Sequence, residues 1–92
     1  MNETHTQPSD DARAVLLKLA GRLSSVRPTH AMQDSMRLAM VLTWTSELHG
    51  YMSDAAEDLE REVLRYAPAV DRDTTRGEYA LILRKAAGGE GQ

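Results

Sequence analysis

The chain has 92 residues, 41% of them hydrophobic and 27% charged, with 11 basic and 14 acidic side chains giving a formal net charge of −3, and it contains one tryptophan, no phenylalanine and no cysteine. A domain of this length holds a single core and leaves no room for a core plus a deep catalytic cleft, while the missing cysteines exclude disulfides, thiolate metal sites and a cysteine nucleophile. Acid gathers in the middle, where Glu47, Asp54, Glu57, Asp58, Glu60 and Glu62 stand against only Arg61 and Arg65, and such a balance lacks the footprint of a nonspecific nucleic-acid binder.

Residues 1–8 lack periodicity and read as a disordered tail, residues 9–87 as a single helical domain and residues 88–92 as a frayed C-terminus. The first eleven residues hold no basic patch followed by an apolar segment, and the longest apolar run, Leu38 to Leu42, is far too short to cross a bilayer. The expectation is a soluble cytoplasmic chain.

The first helix, about 10–26, starts with Ser9 as cap and Asp10 and Asp11 in the first turn, where the helix dipole favours carboxylates. Its apolar positions Ala12, Leu16, Leu19, Leu23 and Val26 repeat at helical spacing, and Pro28 stops it. The second helix, about 30–49, takes Thr29 as its cap. In its first half Met32, Met36, Leu38, Ala39 and Leu42 share one side; after residue 41 the polarity reverses and Val41, Trp44 and Leu48 occupy the former polar side. A helix apolar all round must touch two bodies.

A stripe of Val41, Trp44, Leu48, Met52, Ala55, Leu59, Val63, Tyr66 and Val70 keeps one helical phase through Gly50. Local chemistry opposes continuity, because Gly50 suits a helix end, Ser53 a new cap, and Asp54 and Glu57 a first turn. The break is favoured, although a continuous helix costs only about 1 kcal/mol at Gly50. The third helix spans about 54–67 and ends at Pro68. In the fourth, about 75–87, Thr75-Arg76-Gly77-Glu78 has the form of a capping box, and Gly88-Gly89 terminate it. The predicted fold is all-α, an antiparallel bundle of three to four helices.

Chemistry-bearing motifs are few. His5, His30 and His49 have no metal-ligand spacing, no Glu-x-x-His occurs, and no serine sits in a Gly-x-Ser-x-Gly turn. The acidic run from Asp54 to Glu62 spreads around an exposed helix, which is the ordinary pattern of a solvated face. No enzyme, catalytic residue, cofactor or metal is therefore expected.

The sequence predicts a noncatalytic protein–protein interaction module, an adaptor, chaperone-like binder or inhibitor, working as a homodimer through Val41, Trp44, Leu48 and Met52. Trp44, the lone large aromatic, is the anchor of that surface or else the largest core side chain. The methionines, flexible thioethers, suit either a core or an adaptable surface. The alternative is a small DNA-binding regulator reading through the last helix with Arg76, Arg84 and Lys85, weakened by the neighbouring Asp71, Asp73 and Glu78. A weaker third reading has the acidic helix mimic a nucleic acid on a basic surface.

Overall fold

Ser9 opens the fold as expected of a cap: its hydroxyl accepts the Ala12 backbone N–H at 3.2 Å and satisfies a donor that the first turn leaves free. The computed structural model describes residues 7–88, so the tail expected at 1–8 and the frayed end expected at 88–92 lie largely outside the described residues. Four helices follow in order: α1 (Asp10–Ser25), α2 (Asp34–His49), α3 (Asp54–Tyr66) and α4 (Arg76–Ala86). The fold is all-α, a small helical bundle with a radius of gyration of 13.0 Å.

α1 is the spine of the core. Its buried side chains Ala12, Val15, Leu16, Leu19, Ala20 and Leu23 lie on one side, and α4 packs along them with Tyr79, Ala80, Leu83 and Ala87. The two run antiparallel. Gly77 at the start of α4 donates its N–H to the Pro28 carbonyl (2.8 Å), just past the end of α1, and Arg13 Nε near the start of α1 donates to the Ala87 carbonyl (3.1 Å). Glycine eases the close approach at 77, since a Cβ there falls 3.3 Å from both the Cβ and the carbonyl oxygen of Pro28, which would have to give by a few tenths of an ångström.

α3 docks on α2 and, more lightly, on α1, burying Ala56, Leu59 and Val63. The Glu62 carboxylate receives both the backbone N–H and the hydroxyl of Ser9, each at 2.8 Å, and so ties α3 to the beginning of α1. The capping box of α4 is complete: the Thr75 hydroxyl accepts the Glu78 N–H at 3.1 Å, and the Glu78 carboxylate accepts the Thr75 N–H at 2.9 Å.

Two boundaries carry information. α2 begins at Asp34, not at residue 30, because residues 28–32 pair with residues 74–77 rather than winding into helix. Met32 N–H donates to the Thr74 carbonyl (2.8 Å) and Arg76 N–H to that of His30 (2.9 Å), around an isolated antiparallel bridge between Ala31 and Thr75. Gln33 thus occupies the cap position, without a side-chain bond. The other boundary is the break between α2 and α3, where Gly50 has φ 96° and Met52 φ 64°. Ser53 caps the restart by accepting the Ala56 N–H at 3.0 Å.

A polar clasp fixes the entrance to α2. Asp34 Oδ1 accepts from Arg37 Nε (2.8 Å) and from the Val70 N–H (2.9 Å), Arg37 Nη1 donates to the Ala67 carbonyl (2.8 Å), and the Tyr79 hydroxyl donates to the Pro68 carbonyl (2.6 Å). The Arg37 guanidinium and the Val70 N–H hold the Asp34 carboxyl below its ordinary range, against the opposing effect of desolvation. Burial pushes the Tyr79 phenol up to about 12. The segment after α3 is thereby laid across the start of α2.

Candidate functional site

Among the described residues, α2 and the turn after it hold five of the nine large apolar side chains left exposed, the others being Leu17 of α1, Val26 just past it, and Leu81 and Ile82 of α4. Only Val41 and Thr45 are buried along the whole helix, and the Thr45 hydroxyl is satisfied locally by donating to the Val41 carbonyl at 2.8 Å. Large apolar side chains remain in water: Leu38 is 44% exposed, Leu42 42%, Leu48 49%, Tyr51 74% and Met52 80%. The last two stand in the turn between α2 and α3, where Gly50 and Met52 have positive φ. A non-glycine residue in the left-handed region costs about 1–2 kcal/mol, so Met52 is held outward at some expense to the monomer.

The four residues expected at an interface separate in depth. Val41 is fully buried and belongs to the core. Trp44 is half-buried, packed against the core by one side. Leu48 and Met52 are exposed. Tyr51 is not among those four, nor are Leu38 and Leu42, which the periodicity groups on one side with Met32 and Met36. In the fold Met32 is buried outside the helix, and the inward direction of α2 runs through Val41 and Thr45.

Trp44 has the most distinctive surroundings. It walls a cavity of about 230 Å³ shared with Ala14, Val15, Lys18, Glu47 and Leu48, and a second of about 340 Å³ shared with Arg22, Ala39, Met40 and Thr43. Both lie in the groove between α1 and α2. The Lys18 ammonium sits over the indole, 4.6 Å from the ring centre, a favourable contact with the negative face of the ring. The indole N–H is buried and has no acceptor among the described residues, and the same holds for the Ser46 hydroxyl. Leaving such a group unpaired costs about 1–3 kcal/mol, which marks α2 as less well satisfied than α1.

The basic residues of the alternative reading are scattered in their roles. Arg76 Nε leans on the Ala31 carbonyl (3.4 Å), Arg84 Nη2 donates to the Ser24 hydroxyl (2.9 Å), and Lys85 is exposed. Two of the three guanidinium or ammonium groups are engaged in holding α4 to its neighbours.

The polar pair closest in type to catalytic machinery is His49 and Asp11, with Nε2 and Oδ2 3.0 Å apart on the surface. The nearby Ser53 hydroxyl is spent on backbone: it donates to the His49 and Gly50 carbonyls and accepts from Ala56. It has no bond to the imidazole that would activate it. Among the described residues no group of His, Asp and Glu converges to hold a metal ion, and no helix is long and apolar enough to cross a membrane. No family model, no curated protein and no solved structure matches this chain.

Proposed function

We propose that this chain is a noncatalytic protein–protein interaction module that works as a homodimer, its subunits meeting at the turn after α2 through Leu48, Tyr51 and Met52, with Trp44 behind them. The observation that carries the reading is the exposure of those three large side chains at one turn, with Met52 in a left-handed conformation. Full burial of such side chains is worth about 1.5–3 kcal/mol each. Covering the parts still in water offers about 4 kcal/mol per subunit, or about 8 kcal/mol for a two-fold pair, in which each subunit buries the same patch. That gain is of the same order as the cost of association, about 4–15 kcal/mol. The dimer is therefore weak and concentration-dependent, in keeping with an adaptor that exchanges partners.

The test is sedimentation of the wild-type chain beside Leu48→Glu and Met52→Glu. Both side chains are exposed enough for the variants to fold, so far-ultraviolet circular dichroism stays unchanged while self-association is lost. Unfolding of either variant assigns its side chain to the core and removes the reading.

A further inference from the structure

The groove between α1 and α2 has a shape and a charge that specify an occupant. Ala14, Lys18 and Arg22 step by four along α1, and Met40, Trp44 and Leu48 step by four along α2, so each row runs two turns, about 12 Å. The cavities of about 230 and 340 Å³ open on either side of Trp44, which forms the ridge between them. Two side chains of an added helix, one turn apart, fit such a pair of hollows as ridges fit grooves.

Charge narrows the choice. Neither Lys18 nor Arg22 has a carboxylate partner among the described residues, where the ion pairs join Arg37 to Asp34, His49 to Asp11 and Arg61 to Asp58. The indole holds the Lys18 ammonium in place over the groove. Glu47 is the single acid of the lining and lies at the Leu48 end. A second copy is a poor occupant. Its acidic helix, α3, has Leu59 and Val63 buried in its own core, and stacking α1 on α1 brings Lys18 and Arg22 against themselves.

We propose that this groove docks an amphipathic acidic helix of a different protein, its apolar stripe over Trp44 and its carboxylates on Lys18 and Arg22. It rests on the interaction-module reading but not on self-association, because the turn at Tyr51 and Met52 lies outside the two cavities. Lys18 shares its cavity with Glu47 while Arg22 lines the other cavity without an acid, which sets the direction of the docked helix, with most of its acid toward Arg22 and any base toward Glu47.

The experiment uses the full chain and a panel of tryptophan-free helical peptides with leucines at i, i+4, i+7 and i+11 in each register, flanked by glutamate in one set and by lysine in the other. Trp44 is the only tryptophan, so its emission reports the groove directly. Glutamate peptides shift that emission saturably; the lysine set does not. Lys18→Glu combined with Arg22→Glu, both exposed side chains, weakens the glutamate peptides by roughly tenfold or more with unchanged circular dichroism. Equal binding of the two sets, or no emission change across the panel, overturns the proposal. An emission shift on concentrating the protein alone, abolished by Lys18→Glu, puts a second copy in the groove and overturns it as well. Met52→Glu separates the two readings, since it removes self-association and leaves peptide binding intact.

Discussion

α1 and α2 are both 16 residues long, yet α1 buries Ala12, Val15, Leu16, Leu19, Ala20 and Leu23 while α2 buries only Val41 and Thr45. The difference is not one of apolar content. In α1 the buried side chains gather on one side and α4 covers them; in α2 leucines, methionines and the tryptophan are spread around the axis, and α1 and α3 together cover one sector. Apolar content decides how much surface a helix wants covered, and its distribution decides how much a single small bundle can cover. What α2 keeps in water is the surface that the proposed association would cover.

The sharpest way to break this contrast is to cut the same side chain from each helix. Leu16→Ala removes a fully buried leucine and loses about 2–5 kcal/mol of stability, whereas Leu42→Ala on α2, where the side chain is already 42% exposed, loses about 1 kcal/mol; urea denaturation measures both. Equal losses erase the distinction between the helices. The helix starts differ in the same sense. Thr75→Ala dismantles the capping box of α4 and costs about 1 kcal/mol, while Gln33→Ala at the uncapped start of α2 leaves the urea midpoint where it was.

Met52→Gly sharpens the functional half of the contrast. Glycine relieves the left-handed strain, about 1–2 kcal/mol, and returns part of it as unfolded-chain entropy, about 0.4–1 kcal/mol. Thermal stability therefore holds or rises slightly while sedimentation shows weaker self-association. A clear loss of stability means that the Met52 side chain packs within the monomer. The smallest effect concerns the clasp at the start of α2. Asp34 has a lowered pKa in the fold, so its contribution is present above its unfolded value, about 3.9, and is lost as pH falls through the lower folded value. Asp34→Asn, which keeps an oxygen for the Val70 N–H, flattens that acid limb of the stability curve; an unchanged limb shows that other carboxylates govern it.

Local patterns were legible wherever a helix is defined by its own residues. The spacing of Leu16, Leu19 and Leu23, the caps Ser9, Ser53 and Thr75, and the stop at Gly50 all read correctly from short windows. The start of α2 did not, because residues 28–32 are drawn into pairing with residues 74–77, a contact between segments more than 40 residues apart that no local window contains. The candidate surface was half legible. Of the residues expected at an interface, Leu48 and Met52 are exposed, while Val41 follows a helical phase that the fold interrupts and is buried; Tyr51, exposed as well, falls outside the stripe. A stop and restart within a few residues was the available signal: an apolar side chain on so short a reversal cannot reach the core. The meeting of Lys18 with Trp44 depends on how α1 and α2 cross and left no trace in the sequence.

Sedimentation velocity of the full chain, from micromolar concentrations to the millimolar range, bears most directly on the claim that the uncovered side of α2 and its turn serve association. The expected result is a sedimentation coefficient that climbs from monomer toward dimer with concentration in the wild type and stays at the monomer value in Met52→Glu. A monomer throughout for the wild type contradicts the claim.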